Sequence, residues 1–588
     1  MKRTTLLTLL VSASCACAFG ADVKIEEKIV GPAFTPGVVY TLSPKGMHVA
    51  TTHGRDGKTL VTVDGVDGPM IDAIYNAAFG TTVKISEDGY YTRTEQKWTG
   101  PVAFSPDGNR HAYAGQVGKE AVVILDGKEI FRAPLATRGQ TVEGLHFSSD
   151  SKHLFFLHRT ADSHQSFRLM MDGQAVTPPF EGSTLPFFSD DGARWGLLAS
   201  KPKMVNHKFL IIDGVDAGYV GEHAQFTPDG KRVVCVSGQR PKRSVLVDGK
   251  ELVSGYYVEK PAISPTGDIA SIVTINADGH RKLFINDKPV ADNAGTVVFS
   301  PDGKHWAAVC GLNQKAWVIV DGQKQKEYGP IQNVTFTPDS SKLVSVASIG
   351  DTNYVVVNGK EDEGNKLIHY RPIFSQTGNA FIYTAGLMMH RLKVHYNDRV
   401  EPECLAISHL TLSPDGTRWV YYRRSADNTT RLMVNGKETG PPAMTQGGPV
   451  HFSADSKHIV APLHQAFWCD DQSIAVANTP LGFTPDSNHF IWRGRESGPN
   501  NVMLNTYFLN GDLVAKFSSR GVQWVSAVPK AWEQQPDGTI VFVGPDIGLV
   551  GGLGPMKRIT VTSARDRNYT AWLANPVQND ATKKQGGQ

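Results

Sequence analysis

The sequence predicts an all-β chain assembled from repeated four-stranded sheets, and three observations carry that expectation. One short turn motif recurs at nearly constant spacing, a second recurs in phase with it, and β-rich apolar runs lie between them.

The first motif is an apolar residue, then Ser or Thr, then a turn that mostly ends in Asp-Gly or Asp-Ser. It begins at Leu42, Phe104, Phe147, Phe188, Phe226, Ile263, Phe299, Phe336, Phe374, Leu412, Phe452 and Phe483. Successive starts lie 36 to 43 residues apart, except for a first interval of 62 and a last of 31. In Ser-Pro-Asp-Gly the proline presets φ for a type I turn and the glycine accepts the left-handed residue that follows, so one strand is reversed into the next.

The second motif closes a β-rich run with Asp-Gly or a variant. It stands at Asp64, Asp126, Asp172, Asp213, Asp248, Asn286, Asp321, Asn358, Asn397, Asn435, Asp470 and Asn510, with Asp470 the weakest instance. Asp-Gly and Asn-Gly match the type I′ turn, whose twist suits antiparallel strands. Two hairpins per unit give four strands, here called a to d. A four-stranded unit repeating about every 40 residues is a propeller blade.

The Phe-Ser-Pro-Asp-Gly turns, as at Phe104 and Phe299, resemble those of the TolB-like branch of WD-type β-propeller repeats, over about residues 40 to 515. The resemblance implies a fold and is nearly silent on activity. The repeats begin at Leu42 and leave no room for the N-terminal α/β domain of TolB, so its envelope partner is not carried over. Twelve units exceed the four to eight blades of an ordinary propeller. Two propellers of six or seven blades are therefore expected, at 22–293 and 294–575, with the junction near Ala291 to Gly295. Ile85-Ser86-Glu87-Asp88-Gly89 and Pro536-Asp537-Gly538 imitate the first motif; counting both gives fourteen units, counting neither gives twelve, and the first could instead be an inserted hairpin. Residues 576–588 read as a disordered tail.

Residues 1–21 read as a leader. Lys2 and Arg3 precede an apolar run from Leu6 to Val11, and Ala16-Cys17-Ala18 supplies small residues at a cleavage spacing. The mature chain is expected to start between Phe19 and Asp22 and to be periplasmic or secreted, with lipidation at Cys15 or Cys17 the lesser alternative. The apolar run is too short to span a bilayer, and no embedded segment is expected. Of the remaining cysteines, Cys235, Cys310, Cys404 and Cys469 allow disulfides, but Cys235 and Cys310 sit in strand-like runs as small core residues do. The net charge of +3 predicts no nucleic-acid partner.

No GxSxG elbow, HExxH, P-loop or EF-hand loop occurs, and no cofactor or metal set is expected. The runs Ser300–Trp306 and Ser413–Trp419 approach the Asp-box of sialidases but lack its extra residue, and read as turns. Charge is less evenly spread. The a–b and c–d turns share one edge of the sheets, and the b–c hairpins and d–a connections share the other. In the first half the b–c loops carry twelve Lys or Arg against four acids, with Lys201, Lys203, Lys208, Arg240, Lys242 and Arg243 the densest group. That group is the candidate binding site for an anionic partner, an envelope protein or acidic glycan. Acids in the d–a connections, such as Glu129 and Glu143, could instead neutralise these cations. Two functions compete: a non-catalytic binding scaffold, and a propeller hydrolase or lyase acting on a carbohydrate or lactone through channel carboxylates such as Asp470 and Asp471.

Overall fold

The structure is a computed structural model that describes residues 23–563 apart from short stretches. The longer of these are 34–38, 44–47, 86–91, 161–165, 201–207, 426–428, 444–447, 475–478, 498–502, 519–531, 536–538 and 548–552. The leader and the tail expected from the sequence lie outside the described residues, as do Asp470, Asp471 and Asn510.

The described residues form an all-β chain of twelve hydrogen-bonded sheets. One of them joins two four-stranded units through the pairing of Ser166 with Glu181, so the units number thirteen. In chain order they are sheet 1 (39–67), 2 (102–134, with 73–74), 3 (142–175), 4 (180–220), 5 (222–255), 6 (257–292), 7 (294–328), 8 (331–361), 9 (367–400), 10 (406–443), 11 (451–474), 12 (479–518) and 13 (532–563). Sheet 13 takes its fourth strand from the start of the chain: Val23–Ala33 runs antiparallel to Leu553–Ser563, with Val23 opposite Ser563.

The two imitations of the first motif resolve differently. Ala78–Ile85 and Thr92–Gly100 form a hairpin inserted between the two halves of the first strand of sheet 2, which accounts for the long first interval. Trp532–Gln534 and Ile540–Ile547 are real first and second strands, closed by the Gln535 N–H on the Thr539 carbonyl.

Consecutive sheets pack face to face, the arrangement of a β-propeller. This explains why the second strands read as unbroken apolar runs: successive side chains point to opposite faces, and both faces are covered. In sheet 5, Val233 and Cys235 pack toward sheet 4, while Val234 and Val236 pack toward sheet 6. At Ala291 to Gly295 the same packing continues, Ile272 and Leu283 of sheet 6 meeting Ala308 and Ile319 of sheet 7. Cys235 and Cys310 lie buried in these cores and Cys404 is half-buried, none of the three in a disulfide.

The turn edge is built by one repeated device. Ser105 is buried; its hydroxyl donates to Asp107 (2.5 Å) and accepts the Arg110 N–H (2.9 Å), while Asp107 also accepts the Asn109 N–H. The same bonds recur at Ser300–Asp302 and Ser413–Asp415, so both runs near the Asp-box pattern are turns. The Ser300 hydroxyl and the Lys304 N–H hold the Asp302 carboxyl down to about 2. Beside each such turn lies an Asp-Gly or Asn-Gly turn, as at Asp126 and Gly127 with φ of 50° and 79°, the type I′ geometry. The Asp126 carboxylate accepts the His111 N–H and pairs with Arg110, tying the two turns together.

Neighbouring turns are also latched to one another. Where the first motif ends in Asp-Ser, the serine hydroxyl accepts an N–H from the preceding unit: Asp107 to Ser151, Asp302 to Ser340, Asp415 to Ser456 and Asp455 to Ser487. Across the expected junction Thr266 donates to the Gly303 carbonyl. Asp486 and Gln534 join sheets 12 and 13, and Arg558 of sheet 13 pairs with Asp64 of sheet 1.

Candidate functional site

The opposite edge, formed by the b–c hairpins and d–a connections, lacks this uniform network. Of the candidate site residues, Lys201 and Lys203 lie outside the described residues. Lys208 opens the third strand of sheet 4 and is exposed. Arg240, Lys242 and Arg243 share the hairpin of sheet 5 between Val233–Gln239 and Lys242–Val247. Arg240 and Arg243 lie over the Tyr257 ring at 4.9 and 5.0 Å, which leans the hairpin on sheet 6.

Most of the excess charge is answered locally. Arg243 pairs with Glu222 (2.7 Å) and Lys242 with Glu251 (3.8 Å). The Ser254 and Ser244 hydroxyls, with Lys242 behind them, hold Glu251 below the usual carboxylate range. Arg55 pairs with Asp67, Lys58 with Asp72, Arg159 with Glu143, Arg281 with Glu259 and Lys282 with Asp292. The acids come from first strands, fourth strands and d–a connections, as the sequence suggested for Glu143; Glu129 instead pairs with Arg132 of its own strand. Among the described cations of these loops, Lys119, Lys208 and Arg240 have no carboxylate within ion-pair reach.

Two features of this edge escaped the sequence reading. A cleft of about 500 Å³ opens between sheets 6, 7 and 8, lined by Gly279, Arg281, Asn293, Gly311, Ala316 and Ile331 among others. The hairpin ends of sheets 6 to 9 also carry exposed apolar side chains, Ile275, Leu312, Ile349 and Leu387 to Met389. Their spacing was visible, but an apolar residue at the end of a core strand looks like core. Among the described residues no three His, Cys, Asp or Glu side chains converge at metal-ligand distance.

No family model matches the chain, and no characterised protein is similar to it in sequence. Three solved structures are similar in part. A eukaryotic initiation factor aligns over 66% of this chain and 97% of its own, at 13% identity and a TM-score of 0.27. The β-propeller domain of the Trilobed protease from Pyrococcus furiosus, described as having an open velcro topology, aligns over 44% and 96% at 14% identity and a TM-score of 0.21. The Cps50 (Swd1) β-propeller domain from Myceliophteria thermophila aligns over 42% and 94% at 11% identity and a TM-score of 0.18. The reading of this chain rests on its own geometry.

Proposed function

We propose that the chain is a non-catalytic, exported binding scaffold that holds an anionic partner, an envelope protein or acidic glycan, on its connection edge. The observation that carries this reading is the asymmetry between the edges. Turn-edge carboxylates are engaged by their own hydroxyls and N–H groups, whereas Lys208 and Arg240 on the other edge face solvent without a carboxylate. Such cations cost nothing to leave unpaired at a surface and are available to an incoming anion.

We further propose that the thirteen units form one closed ring. Each sheet has two faces, and those of sheets 6 and 7 that would have to close two separate rings are covered by each other. Two propellers at 22–293 and 294–575 would instead need sheet 6 to cover sheet 1. Limited proteolysis separates the alternatives: one ring gives no pair of stable halves cut near 293. Export by a leader is compatible with closure, because cleavage between Phe19 and Asp22 leaves the closing strand Val23–Ala33 whole.

The function is tested by retention on immobilised polygalacturonate. The wild-type chain is expected to be retained and to elute with salt, since attraction between exposed charges is screened beyond ~8–10 Å. Reversal of Lys201, Lys203, Lys208 and Arg240 to Glu is expected to abolish retention without changing the circular dichroism. Equal retention of the variant would refute the cationic site.

A further inference from the structure

We propose that the connection edge of sheets 6 to 9 docks a partner protein through an extended segment carrying apolar side chains with carboxylates at one end. This rests on the scaffold reading above and names the kind of partner. Ile275, Leu312, Ile349 and Leu387 lie within one residue of the ends of the second strands of four consecutive sheets, at intervals of 37, 37 and 38 residues. They are 37%, 52%, 43% and 51% exposed. One exposed aliphatic is unremarkable on a protein surface; four at equivalent positions form a stripe. Met388 and Met389, both more than half exposed, widen it at sheet 9, and their unbranched thioethers adapt to varied apolar surfaces.

The stripe borders the cleft of about 500 Å³, where Gly279 and Gly311 leave space beside Ala316 and Ile331. That volume lies within the range of ligand pockets, and Val309, Ala316 and Ile331 in its lining offer contacts to an aliphatic or aromatic side chain. The occupant's charge follows from the surroundings. Toward sheets 5 and 4 the stripe continues into Arg240 and Lys208, which lack carboxylate partners. A segment lying along the edge therefore meets apolar contacts first and cations at one end, the complement of an apolar run with an acidic flank. A bilayer fits less well. Asp278 and Asp351 are exposed on the same hairpin ends as Ile275 and Ile349, and insertion of those tips would bury both carboxylates against anionic headgroups.

The test is a displayed library of random dodecapeptides selected on the purified full chain, followed by anisotropy titration of the enriched peptide. Peptides combining apolar residues with terminal Asp or Glu are expected. Their affinity is expected to fall at least tenfold for the triple variant Leu312→Ser, Ile349→Ser, Met389→Ser, and to be retained by Met389→Leu. The absence of any enriched peptide, or peptides that bind the triple variant equally well, overturns the proposal. So does binding of the chain to phosphatidylglycerol vesicles, or self-association in sedimentation, that the triple variant abolishes. Purely acidic peptides sensitive only to Lys208→Glu and Arg240→Glu overturn the apolar stripe and leave the scaffold reading standing. Failure of polygalacturonate retention to respond to charge reversal strikes that reading alone.

Discussion

The two edges of the sheets use the same residue types to opposite ends. On the turn edge, carboxylates such as Asp107 and Asp302 are each fixed by a buried hydroxyl and a backbone N–H, and a serine of the next unit latches the turn. On the connection edge, carboxylates answer exposed lysines and arginines one pair at a time, as Asp67 answers Arg55. Exposed pairs of this kind contribute about 0–1 kcal/mol each. Stability is thus concentrated where the sequence repeats, and the other edge is free to vary from sheet to sheet.

The largest expected effect that would sharpen this contrast comes from removing the closing strand. Deleting residues 23–33 leaves Leu553–Ser563 with an open edge and is expected to lower the melting temperature strongly and to raise amide exchange first in sheets 13 and 1. Next is Ser300→Ala, which leaves the His305 N–H and Asp302 without their shared hydroxyl and should cost about 1–3 kcal/mol in chemical denaturation. Leu312→Ser on the connection edge should change stability by less than ~0.5 kcal/mol. Equal losses for the two serine and leucine variants would erase the distinction between the edges.

A pH titration probes the same contrast with a smaller effect per site. Asp302 is held down to about 2 by the Ser300 hydroxyl, and Asp191 and Asp229 are lowered by Ser189 and Thr227. Because these carboxyls are more acidic folded than unfolded, their contribution is complete above the ordinary carboxylate value of 3.8 and fades as pH falls toward 2. Stability is therefore expected to decline between about pH 4 and pH 2, and the decline should be shallower in Ser300→Ala.

Much of the repeat was legible because its turns are local. Ser-Pro-Asp-Gly and Asp-Gly carry their own conformational preferences, so the hairpins could be placed from a few adjacent residues. The thirteenth sheet was not legible in the same way, because Leu553–Ser563 and Val23–Ala33, which pair in it, lie far apart in the sequence. The candidate cations were readable as a cluster, and Glu143 was readable as a counter-charge. Which of them keep solvent-facing charge depended on partners such as Glu222 and Glu251, whose side chains are brought near only by folding.

The pairing of Val23 with Ser563 has a consequence for how the molecule is made. A ribosome releases the first of these residues long before the second, so sheet 13 cannot be completed until Leu553–Ser563 has emerged. Contacts between such distant partners are slow to form. Until Leu553–Ser563 has emerged, Val23–Ala33 is a strand without its partner, and their pairing is a late step of assembly.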